Sequence, residues 1–349
     1  MTVGSADLPT VSLAPFVGDC GGCVAGDDPT PEQRRTARQI DDVFREHGFL
    51  YLTDLGVGED DVRTVFDHMK RLFALSDGEK DRLSAYNPRT NTGFSKFATE
   101  ALNSRRAPDL KESFNIRSRR HYANDYGGTP EGFGDAAESL WDKLEEASRR
   151  LFVACALAMD LPGEDLRFFE RTFKRFDFTT LRMLHFPPVG DASGGPAGER
   201  DALRIGEHTD FGMVTLLFHD AESAGAGLQV RRAGAGAGND ASGAPFGDVG
   251  GWADAVSRGG ATAIVNTGAL LARWTNDKWR ATAHRVVVPP GGAGDRYSLA
   301  YFLDPDEDEV IETHPKFSDA AAKYEPITSG GFVRMKIEEM LKVKAEAAN

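Results

Sequence analysis

Length, composition and charge limit the classes to which this protein can belong. The chain has 349 residues, 40% of them hydrophobic, and a formal net charge of −13 at pH 7. This is enough apolar material for one or two globular domains with an enclosed site. Acidic residues are in excess and basic residues are scattered, which argues against a surface for nucleic acid or an anionic membrane. We expect a monomer that acts on a small-molecule substrate, with no nucleic-acid or membrane partner.

The N-terminal segment and the cysteines predict a cytoplasmic protein. MTVGSADLPTVSLAPF has neither the basic nor the apolar region of a secretion signal, and no later segment has the length of a membrane span. Cys20, Cys23 and Cys155 are too few for a disulfide framework. CGGC at 20–23 could be a redox or half-zinc motif, but no second cysteine pair completes it, so a glycine-rich surface loop is favoured.

Residues 1–175 predict a helical and mixed region that packs on the core. Three segments carry apolar residues at helical spacing, and the first of them ends at Gly48. FLYLTDLG, between the first two segments, is a strand candidate. The helical segments are PEQRRTARQIDDVFREHG, EDDVRTVFDHMKRLFALS and AAESLWDKLEEASRRLFVACALAMDL.

Residues 176–305 change to short apolar or alternating runs, which favour a sandwich, a barrel or a jelly roll. Within them, residues 231–251 are rich in Gly and Ala and predict a flexible hairpin insertion, with a mobile lid as the alternative. Residues 306–349 predict a helical extension, so the fold class is mainly β with flanking helices (α+β) in one compact unit. The strand candidates are TTLRMLHF, MVTLLFHD, GLQVRR, TAIVNTG, HRVVVPP and RYSLAYFL.

The segment IGEHTDFGMVTLLF at 205–218 predicts a buried strand with His208 and Asp210 at its mouth. Side chains two residues apart on a strand share a face, so both would point into the interior with Val214 and Leu216. Burying them unpaired would cost free energy. His-x-Asp alone is a weak signal in an Asp-rich chain with eight histidines.

His284, at the start of another strand candidate, supplies a third possible ligand. Two imidazoles and one carboxylate leave several coordination positions open, as expected for non-haem Fe(II) that binds both a co-substrate and O2. Zinc more usually keeps one open position. Each residue alone has another explanation, because His284 could be a core histidine and Asp210 a strand-end cap.

In DRYSLAYF, Arg296 and Ser298 share a strand face with Ala300 and Phe302. Arg296 alone could be a surface residue, but a buried guanidinium needs an anion, and the inward positions of this strand carry no acid. A bound carboxylate is therefore the expected partner of Arg296 and Ser298. The order of H-x-D, His and R-x-S on separate strand candidates favours a functional site.

These motifs resemble the isopenicillin N synthase-like family of Fe(II)/2-oxoglutarate-dependent oxygenases. The resemblance is carried by EHTDFGMVTLLF, GLQVRR, VNTGALLARWTNDKWRATAHRVVVPP and RYSLAYFLDPDEDEVIE, and by LPTVSLAPF, REHGFLYLTDLGV, DLKESFNIR and KYEPITSGGF nearer the ends. It implies a double-stranded β-helix, a distorted jelly roll, flanked by helices. It also implies a dioxygenase of secondary metabolism that couples oxidation of a substrate to conversion of 2-oxoglutarate into succinate and CO2.

Carried over by position, the resemblance makes His208, Asp210 and His284 the catalytic iron ligands and Arg296 with Ser298 the site for the distal carboxylate of 2-oxoglutarate. Fe(II), 2-oxoglutarate and O2 are the implied cofactors, with ascorbate as a reductant. Hydroxylation, desaturation and ring closure all remain open outcomes.

The stretch LHFP departs from the Asn-x-Tyr-Pro stretch of plant members of the family. Leu184 and Phe186 stand where an Asn and a Tyr help to bind 2-oxoglutarate, so two polar contacts are missing. His185 could compensate, but strand alternation directs it to the opposite face. The hairpin RVVVPPGGAGD between His284 and Arg296 is longer than usual by a residue or two, which a Gly-rich turn can absorb.

Substrate contacts are expected at the barrel mouth, with Phe94, Lys96, Arg117 and Phe302 as candidates. If Lys96 or Arg117 faces the pocket, a substrate carboxylate is favoured. Two other functions stay open. One is a 2-oxoglutarate-independent non-haem iron oxidase of the isopenicillin N synthase type, and the other is a non-catalytic jelly-roll binding module.

Overall fold

The structure is a computed structural model that describes residues 8–17, 28–100, 108–188, 203–220, 222, 227–232, 251–288, 294–319, 321–336 and 338. An eight-stranded sheet and a four-stranded sheet enclose a shared apolar interior, and the main helices pack on the outside of the larger sheet. This is the jelly-roll core with flanking helices that the sequence predicts. No helix of the described residues is long and apolar enough to cross a bilayer.

The helices follow the capping signals in the sequence. In the first helix, α1, Thr30 and Gln33 form a reciprocal capping box at the N-terminus. Gly48 follows its C-terminus with φ of 67°, a left-handed conformation that favours glycine. Residues 329–336 are also helical. The helices are α1 (Pro31–Glu46), α2 (Glu59–Phe73), α3 (Asp77–Lys80), α4 (Phe133–Ala158), α5 (Phe168–Thr172) and α6 (Ala269–Trp274).

The larger sheet takes strands from both halves of the chain. Its order is β1-β2-β10-β7-β12-β5-β4-β3, and every neighbouring pair is antiparallel except β1 with β2. Its strands are β1 (Thr10–Ser12), β2 (Phe49–Thr53), β3 (Gly93–Ser95), β4 (Glu112–Arg117), β5 (Thr180–Phe186), β7 (Val214–His219), β10 (Ala263–Thr267) and β12 (Arg296–Leu303).

The smaller sheet is antiparallel, in the order β6-β11-β8-β9. Its strands are β6 (Leu203–His208), β8 (Leu228–Arg231), β9 (Trp252–Asp254) and β11 (His284–Val287). A separate two-stranded ribbon, β13 (Val310–Ile311) with β14 (Ile327–Thr328), precedes the C-terminal helical residues.

Strand alternation divides the core into two layers. The inner face, which we define as the side chains that point between the two sheets, carries Leu184 and Ala300 from the larger sheet and Val230 and Val286 from the smaller one. The outer layer lies between the larger sheet and the helices, and Leu216 is one of its members. Because alternate residues of one strand serve two layers, the long strands are buried on both sides.

The six strands expected between residues 176 and 305 are confirmed, as are the three long helices. Of the predicted C-terminal helical extension, residues 329–336 are helical, whereas the ribbon of β13 and β14 occupies part of the segment before them. β1, β3, β4, β6 and β9 were not predicted individually. Four strands from residues 1–175 belong to the larger sheet, so part of that region is core rather than packing on it. The CGGC motif and most of the 231–251 insertion lie outside the described residues, whereas Cys155 is a buried residue of α4.

The expectation of one strand through 205–218 is wrong. β6 ends at His208 in the smaller sheet, and β7 begins at Val214 in the larger sheet. The chain crosses between the sheets from 209 to 213, which resets the alternation. Val214 and Leu216 consequently face the outer layer, not the interior next to His208.

Replacement of Leu216 by Ala tests the outer layer. Leu216 is completely buried, so Leu216→Ala should lower the free energy of unfolding by about 2–5 kcal/mol through lost burial and a cavity. Urea denaturation measures the change. Val310→Ala is the control, because Val310 is 50% exposed and should change stability by less than about 0.5 kcal/mol. Equal effects of the two substitutions would contradict this packing.

Candidate metal and co-substrate site

Three potential metal ligands converge where the two sheets meet. His208 and His284 are directly opposite each other on β6 and β11, with ring centroids 4.2 Å apart. Oδ1 of Asp210 lies 3.7 Å from Nε2 of each imidazole. At that separation the three atoms are not hydrogen-bonded to one another. One atom from each residue lies within 4.8 Å of the other two, an arrangement suited to a single ion.

The backbone orients both imidazoles with Nε2 toward Asp210. Nδ1 of His208 lies 2.8 Å from the carbonyl of Gly206, and Nδ1 of His284 lies 3.3 Å from that of Thr282. Since a carbonyl can only accept, Nδ1 carries the proton and the Nε2 lone pair is available to a metal. Burial, followed by the nearby His208, lowers the pKa of His284 and favours its neutral, ligating form.

The carboxylate of Asp210 is held from the larger sheet. Its Oδ2 accepts hydrogen bonds from Oγ1 of Thr215 at 2.5 Å and Nδ2 of Asn266 at 2.7 Å. Burial opposes ionisation, but the charge of His284 and His208 when they are protonated, together with these two hydrogen bonds, outweighs it, so the pKa of Asp210 is lowered. One carboxylate oxygen is therefore fixed by the protein, and the other faces the imidazoles.

The loop that carries Asp210 is attached to the N-terminus of α6. The backbone N–H groups of Ala269 and Leu270 donate to the carbonyls of Asp210 and of the two residues after it, at 2.8–3.0 Å. These N–H groups have no partner within the helix, so the loop satisfies them. Gly268 is required at the contact, because a Cβ there would lie 2.3 Å from the carbonyl oxygen of Gly212.

Beside these ligands, the inner face carries buried polar atoms that suit an anion. Nη2 of Arg296, at the start of β12, donates to Nε2 of His219 on β7. Nε of Arg296 and Oγ of Ser298 are buried and have no hydrogen-bond partner among the described residues. Burial, then the Arg296 charge, lowers the pKa of His219 well below its ordinary value, which keeps the imidazole a neutral acceptor.

Leu184 and Phe186 give this part of the inner face an apolar surface. Leu184 is opposite Ser298, and the ring of Phe186 lies 4.9 Å from the Arg296 guanidinium and 5.7 Å from that of Arg204 on β6. Cation–π contact thus occurs where polar groups are found in plant members of the family. Burial, then Arg204, lowers the pKa of Arg296 to about 9, so the guanidinium is still charged at neutral pH.

His185 faces away from this site, as alternation predicts. Its Nδ1 and Nε2 lie 2.7 Å from Glu112 and 2.6 Å from Asp295, and its ring stacks on Tyr297. Both ring nitrogens are therefore occupied on the opposite side of β5, so His185 does not compensate for Leu184 and Phe186. Residues 289–293 of the hairpin before Arg296 lie outside the described residues.

Of the four expected substrate contacts, the structure brings only Phe302 to the open inner face. Phe94 belongs to the outer layer. Lys96 is mostly exposed and paired with Asp81 at 2.5 Å. The buried guanidinium of Arg117 is occupied by the carbonyls of residues 90, 178 and 179 and by the hydroxyl of Tyr122. The basis for a substrate carboxylate at Lys96 or Arg117 is therefore lost.

Sequence reasoning missed four residues of this region, namely Thr215, Asn266, His219 and Arg204. The first three are polar residues within apolar strands that the sequence did predict, which is itself a signal because a buried polar group needs a partner. Arg204 belongs to β6, a strand that the sequence analysis did not separate from β7.

A jelly roll with two histidines and one aspartate at the junction of its sheets is the arrangement of a non-haem Fe(II) oxygenase. The family comparisons agree with this class. Residues 178–305 match the 2OG-Fe(II) oxygenase superfamily, and residues 8–130 match the family described as non-haem dioxygenase in morphine synthesis N-terminal. The chain belongs to the isopenicillin N synthase-like family of Fe(II)/2-oxoglutarate-dependent oxygenases. It is a dioxygenase with Fe(II) and 2-oxoglutarate as cofactor and co-substrate.

Named relatives cover most of the chain. Proline hydroxylase buaE of Petromyces alliaceus is 32% identical over 76% of this chain and 80% of its own length. The 2-oxoglutarate-Fe(II) type oxidoreductase hxnY of Emericella nidulans is 28% identical over 93% and 88%, respectively. A full-length Neurospora crassa protein, solved in complex with alpha-KG and thymine, is 28% identical, with a TM-score of 0.76, covering 97% of this chain and 100% of that one.

Replacement of Gly268 by Ala tests how the Asp210 loop is held. The added Cβ would push on Gly212, so Gly268→Ala should weaken Fe(II) binding roughly 10-fold, as expected for loss of a group that orients a ligand. Anaerobic Fe(II) titration measures this effect. Gly78→Ala is the control, because a Cβ there meets nothing within 4 Å. Unchanged affinity in Gly268→Ala would show that the contact does not position Asp210.

Two substitutions of His219 test its role beside Arg296. His219→Ala removes the acceptor that orients the guanidinium and should weaken 2-oxoglutarate binding roughly 10-fold, whereas His219→Gln keeps an acceptor and should stay within about 3-fold. Calorimetric titration under argon gives the dissociation constants, and thermal unfolding checks that both variants fold. If His219→Gln and His219→Ala weaken 2-oxoglutarate binding equally, the hydrogen bond that His219 accepts from Arg296 does not contribute to that binding.

Proposed function

We propose that His208, Asp210 and His284 hold the Fe(II), and that Arg296 and Ser298 bind the distal carboxylate of 2-oxoglutarate. One observation carries this proposal. The inner face holds three convergent ligand atoms and, on the same face, a buried guanidinium and a buried hydroxyl that each have an atom without a hydrogen-bond partner among the described residues. A carboxylate would supply Nε of Arg296 and Oγ of Ser298 with the acceptor that they lack. Phe186 and His219 would fix the guanidinium in place.

Bound Fe(II) supplies the activation of O2, by which 2-oxoglutarate is converted to succinate and CO2 and the substrate is oxidised. The protein's own groups bind and orient. Thr215 and Asn266 keep Asp210 ionised and aimed at the ligand position, and the carbonyls of Gly206 and Thr282 hold the two imidazoles. Apolar residues of the inner face, such as Leu184 and Phe302, would keep water from the reacting groups.

The substrate is a small molecule, and hydroxylation, desaturation or ring closure would be the reaction. An oxidase that needs no 2-oxoglutarate is not favoured, since relatives are named as 2-oxoglutarate enzymes and the Neurospora crassa protein was solved with alpha-KG. We further propose that the protein acts as a monomer in the cytoplasm, with ascorbate as a reductant. The net charge of −13 supports a substrate other than nucleic acid.

Succinate formation by anaerobically purified, Fe(II)-loaded protein after admission of O2 tests the assignment. His208→Ala should abolish succinate because a ligand is lost. Arg296→Ala should raise the 2-oxoglutarate concentration for half-maximal rate roughly 100-fold, because a charge-assisted contact is lost. Lys96→Ala is the control, since this exposed lysine lies away from the ligands. Full activity in either site variant would overturn the assignment of that residue, and oxygen uptake without succinate would favour the oxidase.

A further inference from the structure

A second cluster of polar side chains lies on the inner face, beyond the proposed iron and 2-oxoglutarate positions. Arg182 of β5 is in register with Asn115 of β4 on one side and with Ala300 of β12 on the other. Ser113 lies one inward position from Asn115, and Glu100 approaches from the segment after β3. We call Arg182, Asn115, Ser113 and Glu100 the Arg182 cluster.

The Arg182 cluster is within reach of a small molecule bound at the iron. Thr215, which holds Asp210, is in register with Phe302, and Ala300 is the next inward residue of the same strand. β5 is two strands from β7, which corresponds to about 10 Å across the sheet. Ala300, which is in register with Arg182, has a small side chain and takes up little of the space on the iron side of Arg182.

Hydrogen bonds fix the orientation of the cluster. Nη2 of Arg182 donates to Glu100 and, at 2.9 Å, to Oγ of Ser113. Nδ2 of Asn115 donates to Oδ1 of Asn91 at 2.9 Å. The amide of Asn91 in turn donates to Thr180 at 3.1 Å. The amide nitrogen of Asn115 is thereby committed to the protein, and its oxygen is left as an acceptor.

Three buried atoms of the cluster have no hydrogen-bond partner among the described residues. They are Nε of Arg182, Oε1 of Glu100 and Oδ1 of Asn115, and the side chain of Asn115 belongs to a residue that is only 1% exposed. Buried polar atoms are almost always paired in folded proteins, so atoms left open beside an enzyme site indicate a ligand. They offer one donor and two acceptors.

Among the described residues, the charges of the cluster and of its ion-pair partners balance. Arg182 and Lys111 are both paired with Glu100, and Lys111 also lies 3.6 Å from Asp109. Two cations thus face two carboxylates. A substrate with a net charge would lose its hydration here without an uncompensated opposite charge to replace it, whereas a neutral amide-like group would lose little.

We propose that the Arg182 cluster binds the substrate, and that the substrate is a compact, uncharged molecule that presents a C=O beside N–H groups, such as a pyrimidine base. The carbonyl accepts from Nε of Arg182, and the N–H groups donate to Asn115 and Glu100. The carbon to be oxidised then lies on the side facing Ala300 and the iron. This inference rests on the proposed function of the same site.

Binding to the protein loaded with Fe(II) and 2-oxoglutarate under argon tests the proposal. Calorimetry with thymine, uracil and hydantoin measures the neutral class, and L-proline and indole-3-acetate represent charged molecules. At least one neutral compound should bind and, after O2 is admitted, increase succinate formation at least 10-fold over the substrate-free rate. Binding by the charged compounds alone, or by none of the five, would overturn the proposal. If no compound binds but the protein still forms succinate slowly without substrate, the proposed function is supported and only the substrate proposal fails.

Variants then test the residues. Asn115→Ala should raise the dissociation constant of the bound heterocycle about 10–100-fold, while the 2-oxoglutarate affinity and the substrate-free rate stay unchanged. Arg182→Lys should have a similar effect, because lysine keeps the charge but loses Nε. Ser118→Ala is the matched control, since Ser118 also has a buried oxygen without a partner but alternates to the other side after β4. Equal heterocycle affinity in Asn115→Ala and Ser118→Ala would overturn the assignment.

Discussion

The arrangement of the site depends on the two different environments of the Asp210 carboxylate. One oxygen is held by Thr215 and Asn266 of the larger sheet, and the other faces two histidines of the smaller sheet. A buried carboxylate stays ionised only where hydrogen bonds and opposite charge offset its lost hydration. The proposed iron position therefore exists only when both sheets are closed on each other, so the fold of the jelly roll and the assembly of the site are one event.

Register along the larger sheet distributes the chemistry over the inner face. The positions around Arg296 and Ser298 offer cationic and hydroxyl groups, and those around Thr215 support Asp210. Those around Arg182 offer mixed donors and acceptors of no net charge. Ala300 lies between these groups and contributes little volume. Because neighbouring strands fix the spacing of these groups, the sheet itself determines where a co-substrate and a substrate would lie relative to the metal.

The fold class and the grouping of His208, Asp210 and His284 could be predicted from the sequence, because the motifs that contain these residues are local and recognisable. The sequence placed Val214 and Leu216 on the wrong face because the crossing between the sheets at 209–213 has no signature in hydrophobic alternation. The positions of Phe94 in the outer layer and of Lys96 on the surface were not predicted for a related reason, since β3 was not predicted and its alternation could not be assigned. Arg182 and Asn115 become neighbours only through pairing of β4 with β5, whose residues are far apart in the chain. Such long-range pairing is not visible in local periodicity.

The attachment of the Asp210 loop to the first turn of α6 has a consequence for the dynamics of the protein. The amide protons of Ala269 and Leu270 exchange with solvent only when they leave the carbonyls of that loop. A metal bound to Asp210 also restrains the loop. The free energy needed to open the first turn of α6 therefore increases by the free energy of metal binding. The exchange rates of two backbone amides that contact no ligand thus report on metal occupancy.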